Sequence, residues 1–392
     1  MRFGYGARTR TEITLHLANI SASCILGAVL ILTVTTAGLP AGRAQSEPKY
    51  MYYSVSFAGR SDGIVLATKS NKPYLLATVN DGRTWSHRML PFRPAWLHFV
   101  TAADGWAVAG SPSLCNLCHD YLYRTVNGGG IWRRIERLGN WRSPGQIQFV
   151  TPKLGWLHYR TCGRCSIKTM QTKDGGISWR PARWPFSHRF SWEFLSPEVG
   201  WALELLPLND RVSGCSTQMY VTYDAGRSWS KRPTKPGCYS LPAFANPLDG
   251  WMVVDPEGTG NCSMGGCANA LLKTTNAGRT WTTEHGLKQD EGRQFWPGAW
   301  GGFPEQPYFP NKSRGWIVFN AGAGSGTGGV SVTEDGGRTW HRYLLNIRDP
   351  SVAVLSGTEA WLAAINMGPY MSSRLMHTQD GALHWKTVNP RF

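Results

Sequence analysis

The chain has 392 residues, with 41 Lys and Arg against 25 Asp and Glu, a net charge of +16, and only 17% charged residues. So low a charge density excludes a disordered polyelectrolyte and a coiled coil, both of which are rich in charge. The 45 Gly, 24 Pro and 19 Trp point instead to many turns and short strands around aromatic cores.

In chain order, Arg2, Arg8 and Arg10 precede an apolar run from Cys24 to Leu39, and the small residues Gly42 and Ala44 follow it. A basic, an apolar and a small-residue region in that order predict a secretory signal over residues 1–44. At 16 residues the run is short of the ~20 that span a bilayer, so an uncleaved anchor is the alternative to removal. Residues 45–392 are expected to form one exported domain, whether secreted, periplasmic or at the cell surface.

That domain is repetitive. An eight-residue box, Thr-x-Asn/Asp followed by small residues and closed by Trp, ends at Trp85, Trp132, Trp179, Trp229, Trp281, Trp340 and Trp385, at spacings of 45 to 59 residues. A second signal runs in phase upstream: Gly-Trp at Gly105, Gly155, Gly200, Gly250 and Gly315, with Gly63-Ile64 and Ala360-Trp361 as degenerate copies. Six residues before each small residue stands an apolar one: Phe57, Phe99, Phe149, Phe194, Phe244, Phe309 and Val354. Each repeat therefore predicts four strands: A carries the Phe, B starts at Gly-Trp, C ends at the box Thr and D starts at the box Trp. Seven such units predict an all-β, seven-bladed β-propeller of four-stranded blades. A six-bladed ring with one extra hairpin is the alternative.

The box resembles the Asp-box, or bacterial neuraminidase repeat, and together with Phe…Gly-Trp the chain resembles the photosystem II stability/assembly-factor type of propeller over nearly all of residues 50–390. The resemblance implies a scaffold that assists assembly of a larger complex. Sialidases and xyloglucanases carry the same box, which makes a carbohydrate-active enzyme the competing class. The third box position is Asn80, Asn127, Asp174, Asp224, Asn276, Asp335 and Asp380. A catalytic carboxylate or a metal ligand does not tolerate exchange for an amide, whereas an Asx turn cap does, so the boxes are expected to be structural.

Eight cysteines fall into near pairs in the B–C loops: Cys115/Cys118, Cys162/Cys165, Cys215/Cys238 and Cys262/Cys267. In an oxidising compartment four local disulfides are expected, with a zinc site from the two CxxC units as the alternative. No catalytic residue, metal or cofactor is otherwise expected. A glycosidase needs two placed carboxylates, and the inner-strand candidates Glu193, Glu204 and Asp255 read as hydrogen-bonded strand residues.

Two surfaces point to binding. Arg88, Arg133, Arg180, Lys231, Arg342 and Lys386 follow the box Trp in six repeats, thickened by Arg134, Arg137, Arg183, Arg232 and Lys235. They form a basic belt that protects sheet edges or docks an acidic protein or anionic membrane surface. The connection before repeat six gathers Arg293, Trp296 and Trp300 as a candidate platform. The expected partner is a protein, with a glycan as a lesser candidate; nucleic acid is not expected for an exported chain, which is expected to be monomeric.

Overall fold

The computed structural model describes residues 50–94, 96–110, 120–137, 144–160, 167–188, 190–206, 216–234, 237–255, 270–286, 306–319, 328–366 and 372–392, and every regular element among them is a strand. Residues 1–44, where the signal is predicted, lie outside them.

Repeat one sets the pattern. Strands A (Met51–Phe57), B (Gly63–Lys69), C (Lys72–Thr78) and D (Ser86–Met89) pair antiparallel in that order. The middle strands carry apolar residues on both faces, because each face meets a neighbouring sheet. Strand D is exposed at every position and forms the outer edge.

The C–D turn explains the box. Thr78 Oγ1 donates to Asn80 Oδ1 at 3.0 Å and accepts from Gly82 N–H at 2.9 Å, while Asn80 Oδ1 also accepts from Thr84 N–H at 2.9 Å. The two residues at the tip have positive φ, 58° at Asp81 and 76° at Gly82, as a tight hairpin with right-twisting strands requires. Asp174 caps its turn in the same way, with Ser178 N–H at 2.9 Å from its Oδ1. The second Asx atom differs in polarity, since Asn80 Nδ2 donates to Thr84 Oγ1 whereas Asp174 Oδ2 accepts from Ser178 Oγ. A hydroxyl can serve either way, so amide and carboxylate interchange freely.

Neighbouring sheets pack through a three-ring unit. The Gly-Trp indole of one repeat lies flat on the strand A Phe of the next: Trp106 on Phe149 at 3.8 Å, Trp156 on Phe194 at 3.6 Å, and Trp251 on Phe309 at 3.9 Å between ring centres. The box Trp of that next repeat meets the Phe edge-on, as Trp179 does Phe149 at 6.1 Å. Six Gly-Trp or Ala-Trp indoles are almost wholly buried. The glycine before the indole is required by the Phe of its own strand A, for a Cβ on Gly155 would stand 2.5 Å from the Phe149 ring. Repeat seven has Val354 where the others have Phe, and there Ala360 replaces the glycine.

Two sheets depart from the expected four strands. In repeat five Pro242 cannot donate to the ladder, and strand A breaks into Cys238–Tyr239 and Ala243–Phe244, both paired with Gly250–Asp255. Strand D of repeat six runs on without a turn into strand A of repeat seven as one fourteen-residue strand, His341–Val354, with a register shift between Arg348 and Ser351. Strand A of repeat six is reduced to a single bridge from Tyr308 to Trp316, so repeats six and seven share a six-stranded sheet.

The first sheet packs on the last. Phe57 lies on Trp361 at 5.2 Å, Trp85 meets Trp361 edge-on at 5.9 Å, and Tyr52 N–H donates to Ser373 Oγ at 2.5 Å. The C-terminal tail reaches back as well: Trp85 N–H donates to the Arg391 carbonyl at 3.0 Å, and Phe392 packs on His87.

Candidate functional site: an inner edge and an outer rim

Strand A forms the inner edge of each sheet, and its residues one and three places before the Phe lean across to the next sheet. Gln148 is the clearest case: its Oε1 accepts from Phe194 N–H at 2.8 Å and its Nε2 donates to the Phe194 carbonyl at 3.0 Å. Gln146 makes the same double contact with Trp192. Ser351 Oγ accepts from Val55 N–H at 3.2 Å, which repeats the arrangement where the last sheet meets the first. His98 Nε2 donates to the Phe149 carbonyl at 3.2 Å, and burial lowers its pKa, which keeps the ring neutral. At the junction of repeats three and four the Gln146 and Gln148 amides thus take the place of a ladder between the two A strands.

Glu193 occupies the equivalent position in repeat four (strand A, Phe190–Phe194) and behaves differently. Its Oε2 accepts from Gln306 Nε2 at 2.6 Å, two repeats away. Burial raises its pKa, and the Gln306 hydrogen bond only partly opposes that. The pair lines a cavity of about 280 Å³ shared with Pro242, Phe244, Tyr308 and Val354 from the following inner strands. In sequence, Gln306 follows the connection that carries Arg293, Trp296 and Trp300. Those three residues themselves lie outside the described residues.

Glu204, on strand B of repeat four (Gly200–Leu206), is buried and fully engaged. Its Oε1 accepts from Ser187 N–H at 2.7 Å and His188 N–H at 3.0 Å, with His188 Nδ1 at 3.2 Å, and its Oε2 accepts from Tyr220 Oη at 3.0 Å. Burial alone would raise its pKa; these bonds outweigh it and leave the carboxyl lowered. Burial and the bond to Glu204 push the Tyr220 hydroxyl up to about 12. Strand register pairs Glu193 with Trp201 and Glu204 with Phe190, three places apart, so the two carboxylates stand on opposite faces of the sheet. They cannot work as an acid pair across one glycosidic bond. The side chain of Asp255 lies outside the described residues.

The outer rim carries the basic belt. Arg88, Arg133, Arg134, Arg180, Arg183, Lys231 and Lys386 are exposed and make no ion pair among the described residues. Arg134 lies over the Tyr121 ring at 4.8 Å, which holds its guanidinium in place without neutralising it. Arg342 departs from the belt: it is half-buried over the Phe319 ring at 4.4 Å, and burial lowers its pKa. Cys238 stands on strand A of repeat five and not in a B–C loop as expected, because it follows the box of repeat four. The side chains of Arg137 and Cys238 lie outside the described residues, as do Lys235 and Cys115, Cys118, Cys162, Cys165, Cys215, Cys262 and Cys267.

Sequence reasoning did not anticipate His158. Trp192 Nε1 donates to its Nδ1 at 3.0 Å, and burial lowers its pKa to about 4. Its position midway along strand B gives no hint of this, because the indole comes from the next repeat.

Successive antiparallel sheets, with side chains bridging one sheet to the next and the first sheet packed on the last, leave one architecture. The fold is a β-propeller. The chain is similar to the β-propeller domain of the Trilobed protease from Pyrococcus furiosus, described as having an open velcro topology, at 8% identity and a TM-score of 0.55 over 87% of this chain and 98% of that one. It is also similar to one of two structurally analysed prolyl endopeptidases (8% identity, TM-score 0.58, 86% of this chain and 49% of that one). A puromycin-hydrolyzing peptidase of Mycobacterium tuberculosis matches at 10% identity and a TM-score of 0.53, over 87% of this chain and 53% of that one. The propeller thus spans about half the length of these two peptidases. No family model and no curated protein matches the sequence.

Proposed function

We propose that the chain is an exported, non-catalytic propeller of the Asp-box type, with seven blades, that captures a protein partner bearing an acidic surface and serves the assembly or stability of a larger complex. The observation that carries this reading is the rim. Exposed cations recur at the start of strand D in five repeats with no acidic partner among the described residues, on a protein with a net charge of +16. A field of this kind speeds encounter with an acidic surface and orients it. Seven blades rest on the seven boxes.

Capture of a partner from the native extract should be tested with the whole exported chain. Reversing Arg133, Arg134 and Arg180 to Glu is expected to slow association by about tenfold at low salt and to flatten its salt dependence. Trp296→Ala with Trp300→Ala is expected to abolish capture with the circular dichroism spectrum unchanged. If neither set alters binding, the reading is wrong.

One observation favours a second reading as a glycoside hydrolase: Glu193 is a buried carboxyl with a raised pKa beside a cavity, which suits a general acid. Cleavage of a polysaccharide by the purified chain, lost in Glu193→Gln, Glu204→Gln or Asp255→Asn, would establish that reading and remove the first.

A further inference from the structure

At two junctions where one repeat's strands B and C meet the next repeat's box turn, a cation covers the Gly-Trp indole. Arg124 lies over Trp106 at 5.3 Å and pairs with Asp104 at 3.4 Å; Lys273 lies over Trp251 at 5.4 Å beside Asp249. The fourth residue of the next box closes this space, and there it is Gly175 or Gly336, with no side chain to add. A Cβ at Gly336 would stand 3.3 Å from Lys273 Nζ.

The junction of the last repeat with the first holds different residues at the same places. His377 replaces the Lys or Arg and stacks on Trp361 at 4.0 Å with the rings 14° from parallel. Glu359 is the acid before Ala-Trp, and its Oε1 is 3.1 Å from His377 Nε2. Instead of glycine, the fourth residue of the first box is Asp81, which brings a second carboxylate in from the opposite sheet. One donor atom from each of Asp81, Glu359 and His377 lies within 4.8 Å of the others. Asp81 Oδ1 is buried and has no hydrogen-bond partner, and Gln379 Nε2 approaches Oδ2 at 3.5 Å. The His377 and Glu359 side chains are only 12% and 14% exposed. At the Trp106 and Trp251 junctions a full cation faces one carboxylate, whereas here two carboxylates face each other around one imidazole and Asp81 Oδ1 is left without a hydrogen-bond partner.

We propose that Asp81, Glu359 and His377 bind a divalent transition-metal ion of the zinc class at the seam between the first and last repeats. One imidazole nitrogen and two carboxylate oxygens are a donor set that zinc accepts, with a fourth position left for water. The 3.1 Å between His377 Nε2 and Glu359 Oε1 is close to the edge of a tetrahedron with bonds of about 2 Å. The indole of Trp361 fixes the imidazole plane, and Gln379 holds the outer oxygen of Asp81, as supporting groups commonly do around a metal. Bound there, the ion ties residues almost 300 positions apart in sequence, and so closes the ring.

The test is titration of the intact chain with Zn²⁺ alone, read by calorimetry and by thermal unfolding, and with Co²⁺ read by visible absorption. One equivalent should bind to the native protein and raise its unfolding temperature. Asp81→Gly, which installs the residue several other boxes already have, and His377→Phe, which keeps a ring on Trp361, should both fold and should weaken zinc binding by at least about 100-fold. The cobalt spectrum should show nitrogen and oxygen donors without an intense thiolate band, which distinguishes the seam from a cysteine site. Equal zinc affinity in the native chain and Asp81→Gly would overturn the proposal, as would the absence of any zinc-dependent rise in unfolding temperature. A proton shared by the two carboxylates is the rival, and it would appear as a metal-free stabilisation by Asp81→Gly in a native chain that binds no zinc.

Discussion

At the residue scale, the Gly-Trp signal is a packing relation between two residues six apart. Phe149 lies across Gly155, and the one repeat with a Cβ at that place, Ala360, has Val354 instead of Phe. Gly155→Ala should therefore destabilise by about 1–3 kcal/mol through overpacking. Combined with Phe149→Val it should cost less than the sum of the two single changes, and additivity in urea or thermal unfolding would contradict the pairing. His158 makes a separate statement about pH. Its folded pKa of about 4 lies below its ordinary 6.5, so the unfolded chain binds the proton first. Stability from this group is complete above 6.5 and is lost as pH falls from 6.5 towards 4. His158→Gln keeps an acceptor for Trp192 and should flatten the stability profile in that window; an unchanged slope would show that the ring is not held neutral.

At the scale of elements, the inner strands are joined by side chains. Gln148 satisfies both the N–H and the carbonyl of Phe194, and Gln148→Leu, of similar volume, leaves both unpaired. The cost should be about 1–3 kcal/mol per orphaned group, with faster amide exchange at Phe194 than at Val221 in the middle of the same sheet. Equal exchange at the two sites would mean that the amide bridge contributes nothing. The strand-level pattern was largely legible in the sequence, since the strand A Phe, Gly-Trp and the box mark where strands begin and end. Two features escaped it. Pro242 breaks strand A of repeat five, and the last D–A connection is a continuous strand with no turn at all.

At the scale of the whole molecule, stability depends on closing the ring. Phe57 does for repeats seven and one what Phe149 does for repeats two and three, although its stacking partner Trp361 is far away in sequence. Phe57→Ala and Phe149→Ala should therefore cost a similar amount, about 3–5 kcal/mol each. A much milder effect at Phe57 would mean that the seam opens independently of the rest. Deleting residues 389–392 removes the carbonyl that accepts from Trp85 and the Phe392 ring on His87. The loss should appear first as faster exchange at Trp85.

The sequence by itself determined the repeat, the strand order within each sheet and the interchange of Asn and Asp in the boxes. These follow from contacts inside one hairpin or between adjacent strands, where residue type and spacing fix the partner. Tertiary structure alone decided what lies between sheets: a Gly-Trp indole on the Phe of the following repeat, Gln306 on Glu193, Glu204 and Glu193 on opposite faces, and Asp81 against Glu359 and His377. Such partners are set by the curvature of the ring and by its closure. No local pattern announces them, because the residues come together only when distant sheets stack.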